Sequence, residues 1–194
     1  LLKLIEIPSV TESDQEDEAV QFIYRHLAGQ KYFKAHPEHL TWLPTPRERD
    51  PRPLHSLVAR VMAAKPTKRT IIMIGHYDVV EVSMYGEMRH LAFKPLEFEK
   101  VLLKNPELLS QRGREDLESG NYLFGRGSMD MKCGLAIEME LLRDFGSNPE
   151  MFDVNLLMLA VADEENSSAG MRGVIAELVR LQEEEGLEYI CAMN

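Results

Sequence analysis

A buried strand that ends in a histidine and an aspartate is the feature that most constrains this chain. Residues 71–74 are all apolar, and Gly75, His76, Tyr77 and Asp78 follow them directly. A short apolar run of this kind predicts a buried strand. A histidine whose second ring nitrogen is oriented by a nearby carboxylate is common in metal sites. On its own the pair is a weak signal, because a strand end also carries polar residues for solubility.

Predicted strands and helices alternate along the chain. The predicted strands lie at residues 39–43, 54–62, 70–74, 154–161 and 188–193, and the predicted helices at about 14–28, 95–104, 132–145 and 170–185. A strand, a crossover helix and a further strand are typical of parallel pairing. We therefore expect an α/β fold with a mixed, largely parallel central sheet flanked by helices.

Local signals set the ends and faces of two of these helices. Ser13 is the predicted N-cap of the first long helix, with Glu16 as its capping-box partner, and Gly29 ends that helix. In the last helix the spacing of apolar residues predicts five inward positions. These are Val174, Ile175, Leu178, Val179 and Leu181.

The region from about residue 81 to 121 is predicted to be an irregular insert in a single domain that spans residues 1–194. Apart from the helix near Pro95–Lys104, we expect a charged loop at 111–120. A second loop, rich in proline and arginine, is predicted at 44–53. The chain begins inside a helix-like segment at 1–5 and ends inside the predicted strand at 188–193, so we expect a piece of a longer protein.

Composition excludes several classes of partner. Lys and Arg number 22 against 32 Asp and Glu, which gives a net charge of −10 and argues against nucleic acid or an anionic membrane as a partner. No apolar segment approaches the roughly 20 residues of a membrane span. With no secretion signal and only two cysteines, the expected location is cytoplasmic.

Two acidic motifs follow other apolar segments. Asp130 lies in a glycine-rich turn at 125–134 just before a predicted helix, where a carboxylate also acts as a plain N-cap. Asp163, Glu164 and Glu165 close the most apolar strand, and adjacent acids repel one another unless a cation or proton intervenes. The carboxyl edge of an open α/β sheet is where ligand sites form.

Together these residues predict a metal site. His76, Asp130 and a glutamate supply the mixed nitrogen and oxygen ligands that suit zinc, manganese or cobalt. An aspartate with two oxygens can bridge two metal ions about 3.5 Å apart. Since neighbouring glutamates point in different directions, one can bind metal while the other acts as a general base.

At these three motifs the chain resembles the catalytic domain of the M20 family of metallopeptidases and deacylases. The matching segments are 75–80, 125–132 and 163–165, in that order. Residues 77–81, His90-Leu91-Ala92-Phe93 and the approach at 123–127 most resemble the arginine-utilisation, RocB-like branch. The resemblance covers nearly the whole chain.

The resemblance implies a role for each motif residue. His76 and Glu165 are metal ligands, Asp130 bridges two metal ions, Asp78 orients His76, and Glu164 is the catalytic base. It implies a zinc-dependent hydrolase of small peptides or N-acyl amino acids, with Co²⁺ or Mn²⁺ as alternative metals. It also implies a lid and dimerisation domain, absent from this chain, through which the whole protein forms a homodimer.

Two family ligands, an acidic residue after the next strand and a distant histidine, have no counterpart in 1–194. We therefore expect this chain alone to be inactive. Two alternatives stay open for the whole protein: a non-catalytic binding or assembly module, and a hydrolase of a non-peptide C–N bond in arginine catabolism. His36 and His39 have ligand-like spacing, but their proline-containing loop favours a structural role.

Overall fold

The helices and strands largely follow the predicted alternation in the computed structural model, which describes residues 1–47, 52 and 54–194. The α-helices in these residues are α1 (Leu2–Ile5), α2 (Glu16–Ala28), α3 (Lys31–Ala35), α4 (Pro95–Lys104), α5 (Gln111–Ser119), α6 (Lys132–Ser147) and α7 (Ala169–Glu185). The strands are β1 (Leu40–Pro44), β2 (His55–Val61), β3 (Arg69–His76), β4 (Asn155–Val161) and β5 (Glu188–Met193). Half of the predicted loop at 44–53, residues 48–51 and 53, lies outside the described residues.

The five strands form one sheet in the order β1-β2-β4-β3-β5. β3 runs parallel to β4 and β5, whereas β2 runs antiparallel to β1 and β4. Every residue of β4 is buried, as expected for a strand that is covered on both faces. The predicted mixed α/β sheet is confirmed, with its parallel pairs centred on β3.

Side chains alternate between two helical layers along the central strand. Leu156, Met158 and Ala160 pack into the core formed with α2 and α6, whereas Leu157 and Leu159 pack into the core formed with α7. This period of two follows from the pleat of a strand. The sheet therefore lies between two layers, and its carboxyl edge at β3 and β4 remains open between them.

The predicted charged loop at 111–120 is wrong, because most of this segment forms helix α5. Its N-cap hydroxyl, on Ser110, accepts a hydrogen bond from the N–H of Gly113 at 3.2 Å, and Gly120 ends the helix at a φ of 67°. A single apolar residue, Leu117, anchors α5 in a small core of the insert. One apolar position leaves no periodicity to detect, so only the caps marked this helix.

Two of the five inward positions predicted in α7 are also wrong. Val174 and Leu181 are buried and Leu178 packs against the same core, but Ile175 is 50% exposed and Val179 is 45% exposed. Residues 174 and 181 lie two turns apart on one stripe. Residues 175 and 179 form the neighbouring stripe, which no described element covers.

The predicted capping box of α2 does not form. The N-cap of α2 is Gln15, which makes no side-chain capping bond, and the buried hydroxyl of Ser13 has no partner among the described residues. Glu16 faces the interior instead, where it binds Arg47. A buried charge pair has replaced the local cap.

No helix in the described residues is a candidate membrane span. None of these helices combines the length and the apolar composition that a bilayer crossing needs.

Candidate metal centre

The parallel pairing of β3 with β4 brings the first and third motifs together. His76 is opposite Val161 in the register, and the N–H of Tyr77 donates to the carbonyl of Val161 at 3.2 Å. Three residues after that strand end, the carboxylate of Glu164 lies 3.7 Å from Nε2 of His76. The sheet itself therefore sets the distance between the imidazole and the predicted base.

Asp130 reaches the same imidazole nitrogen from the turn before α6. Its Oδ1 lies 2.9 Å from Nε2 of His76. The ligand atoms of His76, Glu164 and Glu165 all lie within 4.8 Å of one another. The histidine side chain is only 5% exposed, whereas that of Asp130 is 74% exposed. One nitrogen and three carboxylates thus face a space that is open to solvent on one side.

Asp78 is fully buried beneath this space and holds two of its residues by their main chain. Its two carboxylate oxygens accept the N–H groups of Glu164 and Glu165, each at 3.1 Å, and Oδ2 also accepts the hydroxyl of Thr11 at 3.0 Å. Nδ1 of His76 lies 3.0 Å from the carbonyl oxygen of Asp78 and 3.6 Å from its carboxylate. The main chain of Asp78 is therefore the nearer partner of the imidazole, and its carboxylate fixes the glutamates.

The electrostatics of the cluster favour a cation. Burial lowers the pKa of His76, but the carboxylates of Asp78, Asp130 and Glu164 outweigh it and raise the pKa to about 9. The pKa of Glu165 is raised, mainly by burial and to a smaller extent by the negative charges of Asp130 and other neighbouring acids. A bound proton or metal ion relieves the repulsion between neighbouring acids. The donor set, one imidazole with carboxylates, fits zinc, manganese or cobalt.

Asp163 does not join the acidic cluster, although it directly precedes Glu164 and Glu165 in the sequence. It is fully buried and has a φ of 60°. Its carboxylate accepts the hydroxyl of Ser167 at 2.5 Å and the N–H of Ala169 at 3.1 Å. Burial raises the pKa of Asp163, but these hydrogen bonds reverse the effect and lower it. Asp163 therefore shapes the loop that presents the two glutamates.

A buried ion pair supports that loop from behind. Nη1 of Arg47 lies 2.9 Å from Oε2 of Glu16 and 3.4 Å from Oδ1 of Asp163. The N–H of Glu12 donates to the same oxygen of Glu16 at 2.8 Å. Burial raises the pKa of Glu16 to about 7, against the lowering effects of the Glu12 N–H and Arg47. The guanidinium thus joins the start of α2 to the end of β4.

The N-terminal segment clamps the chain that follows β3. Val10 bridges to Val79 in parallel fashion, and the hydroxyl of Ser9 donates to the carbonyl of Tyr77 at 2.6 Å. Lys132 is fully buried, and its amine donates to the carbonyl of Ile7 at 2.6 Å. The segment before α2 therefore contacts both the first and the second motif.

Gly127 is required where the second motif crosses the first. Its φ is 75°, and a Cβ at this position would lie 2.8 Å from Cγ1 of Val79. The N–H of Lys132 donates to the carbonyl of Gly127 at 3.0 Å, which closes the turn that carries Asp130. Glycine is the residue that combines a positive φ with so close an approach.

Sequence reasoning missed the residues that support the site. Thr11, Glu16 and Arg47 stand outside the three motifs, and each contacts the site only through folding. A usable signal existed for Lys132, since it is the last residue of the second motif and begins a helix.

The sheet and the cluster around His76 place this chain among α/β proteins with a candidate metal centre at the carboxyl edge of the sheet. The model of Peptidase family M20/M25/M40 matches residues 72–194. The chain belongs to this family, as its three motifs predicted.

Curated relatives and a solved structure agree with this assignment. The chain is 34% identical over 194 residues to the uncharacterised protein YqjN of Bacillus subtilis (strain 168), covering all of this chain and 34% of YqjN. It is 29% identical over 191 residues to protein RocB of the same organism, covering 98% of this chain and 33% of RocB. Human carnosine dipeptidase 1 shares the fold, with a TM-score of 0.64 at 15% identity, covering 98% of this chain and 36% of that one. The chain therefore spans about a third of the length of these relatives.

Proposed function

We propose that this chain is the metal-binding part of the catalytic domain of a zinc-dependent hydrolase that cleaves an amide bond in a small peptide or an N-acyl amino acid. The observation that carries the proposal is the convergence of Asp130 and Glu164 on Nε2 of His76, with Glu165 beside them. Membership in a peptidase family supports hydrolysis as the reaction class.

In this proposal three residues bind the metal and a fourth transfers a proton. His76, Asp130 and Glu165 hold the metal, with Co²⁺ or Mn²⁺ as alternatives to Zn²⁺. When bound, the metal supplies Lewis acidity that polarises a carbonyl and makes water more acidic. Glu164 takes a proton at its carboxylate and passes it on to the leaving amine.

Asp78 supports this chemistry without touching substrate. By binding the N–H groups of Glu164 and Glu165, it keeps the base and a ligand at a constant separation. Since both glutamates depend on one buried carboxylate, the base and the metal ligand are positioned as a unit.

The deciding experiment replaces the proposed base in the full-length protein. Glu164→Ala should lower the rate of amide hydrolysis by about 10²–10⁴-fold while bound metal is retained. The rate is measured as amino acid released from panels of dipeptides and N-acyl amino acids, and metal content is measured by elemental analysis. Glu183→Gln, on an exposed position of α7, is the control and should leave the rate unchanged. A Glu164→Ala protein that works at the wild-type rate would sink the proposed mechanism.

A hydrolase of a non-peptide C–N bond in arginine or amino-acid catabolism would use the same residues. This candidate rests on the resemblance of three segments to the RocB-like branch, and the chain is 29% identical to RocB. The same substrate panel, extended to guanidino and ureido compounds, separates the two. A wild-type protein that binds metal and turns over nothing in the extended panel would favour the binding-module alternative.

A further inference from the structure

A second group of potential metal ligands lies where α3 leads into β1, separate from the centre at His76. The ligand atoms of His36, Glu38 and His39 all lie within 4.8 Å of one another. Nδ1 of His36 is 3.3 Å from Oε1 of Glu38, and Nε2 of His39 is 3.6 Å from the same oxygen. The proline-containing loop, which favoured a structural role on sequence alone, thus gathers two imidazoles around one carboxylate.

The distances from Glu38 to the two imidazoles are close to those between the ligands of a tetrahedral metal. Zinc ligands at about 2.0–2.1 Å from the ion lie about 3.3 Å from each other. Both pairs that include Glu38 are close to this value. The remaining adjustment falls on His36, whose side chain is 47% exposed. A water molecule can be the fourth ligand of the metal, because the side chain of Glu38 is 60% exposed and solvent reaches the site.

Tyr32 pre-orients the less exposed histidine. The N–H of Met62, just beyond β2, donates to the tyrosine hydroxyl at 2.8 Å, and that hydroxyl lies 2.9 Å from Nδ1 of His39. Nδ1 is thereby occupied, and Nε2 is the nitrogen directed towards Glu38. A hydrogen bond to the second ring nitrogen is the usual partner of a metal-bound histidine.

The ring of Tyr32 also limits the freedom of the cluster. Its centroid lies 4.8 Å from that of His36 and 5.7 Å from that of His39, and the two imidazole planes are within 13° of parallel. The main chain adds hydrogen bonds from His36 to Tyr32 and from His39 to His36, at 2.9 and 3.1 Å. The ligand groups are therefore held in place before a metal arrives, which lowers the entropy lost on binding.

We propose that His36, Glu38 and His39 form a peripheral site for a divalent first-row transition metal, with Zn²⁺ as the principal ion. The site is independent of the proposed hydrolase activity, since none of its residues contacts the cluster at His76. Bound zinc joins the end of α3 to the start of β1, and it stabilises the folded chain because the unfolded chain lacks the preformed site.

The direct test follows the imidazole nitrogens of ¹⁵N-labelled full-length protein during a zinc titration. The side-chain resonances of His36 and His39 should shift together and saturate with one equivalent beyond that taken by the centre at His76. Their failure to shift overturns the proposal, as does saturation only at millimolar zinc.

Zinc content after equilibrium dialysis at micromolar free zinc gives a second readout. His36→Ala and Glu38→Gln should each bind zinc at this site at least about tenfold more weakly and lose one equivalent. The control is His26→Ala, which removes an exposed histidine of α2 and should retain the full content. Since both ligand positions are exposed, these variants are expected to fold, which circular dichroism checks. Full zinc content in folded His36→Ala overturns the proposal.

Discussion

At the scale of single residues, Asp78 shows how one buried carboxylate organises a site. It accepts main-chain N–H groups from both glutamates and the hydroxyl of Thr11. Three donors to one carboxylate account for the burial of its charge. The sequence predicted that Asp78 orients His76; its carboxylate lies 3.6 Å from Nδ1 of that histidine and also accepts the N–H groups of Glu164 and Glu165.

Asp78→Asn tests this role. The amide retains the shape but places an NH₂ group against one of the two main-chain N–H donors. We expect metal affinity at the centre to fall by about 10–100-fold. The measurement is competitive metal titration against a chromophoric chelator. Asp153→Asn, at a side chain that is 84% exposed, is the matched control and should not change the affinity. Equal affinity in both variants would contradict the role given to Asp78.

Glu138 is a second buried acid, but it lies outside the site. It is 8% exposed on α6, and its Oε2 has no hydrogen-bond partner among the described residues. Burial alone raises its pKa from 4.5 to about 8. Between these two values the folded chain keeps the proton that the unfolded chain releases. The contribution of Glu138 to stability therefore falls as the pH rises from 4.5 to 8.

Glu138→Gln removes this titration. The variant should have a flatter dependence of unfolding free energy on pH, and at pH 9 it should exceed the wild type by roughly 2–4 kcal/mol. Urea unfolding at pH 5 and at pH 9 measures the difference. The exposed Glu183→Gln serves as the control. A pH dependence identical to that of the wild type would show that Glu138 ionises normally.

At the scale of elements, the turn before α6 depends on a crossing that needs glycine. Gly127 and Gly120 both have positive φ, of 75° and 67°, but only Gly127 has a neighbour that a Cβ would strike. Comparing an alanine substitution at each of these two glycines therefore separates the free-energy cost of backbone strain from that of a steric clash.

Gly120→Ala should lower the unfolding free energy by about 1 kcal/mol, the cost of left-handed backbone for a residue with a Cβ. Gly127→Ala should cost about 1–3 kcal/mol more, because Val79 must also move. Asp130 moves with the turn, so metal affinity should fall in Gly127→Ala alone. Chemical unfolding and metal titration measure the two effects. Equal losses of stability in the two variants would exclude the clash.

Helices and strands differ in how far the sequence predicts them. α6 and β4 carry strong apolar periodicity or continuous burial, and both were located to within two residues. α5 was missed because one apolar residue anchors it. The inward face of α7 was partly misjudged, since an amphipathic pattern does not show how wide a stripe the sheet will cover.

At the scale of the whole molecule, the Glu16–Arg47–Asp163 ion pairs connect parts of the chain that are far apart in sequence. Removing the guanidinium would take away the cation that pairs two buried acids, Glu16 and Asp163. The cost of breaking such a pair is several kcal/mol.

Arg47→Met should lower the unfolding free energy by about 3 kcal/mol, at the low end for such pairs because Glu16 can take up a proton. Metal affinity should fall as well, since the loop after β4 loses its support. Glu16→Gln in the Arg47→Met background should recover part of the stability by removing an unpaired charge. Arg25→Met, at an exposed position of α2, is the control. Unchanged stability and affinity in Arg47→Met would contradict this coupling.

The sequence by itself determined the alternation of strands and helices, the family, and the candidate residues His76, Asp130, Glu164 and Glu165. These follow from local periodicity and from motifs that occupy a few adjacent positions each. Only the tertiary structure decided that Asp163 turns inward, that the Asp78 carboxylate binds the glutamate main chain, and that Arg47 supports the loop. Those contacts join residues 86 to 116 positions apart, and a contact at such a separation leaves no periodic trace in the sequence. It forms only when the sheet has brought the carboxyl ends of β3 and β4 side by side.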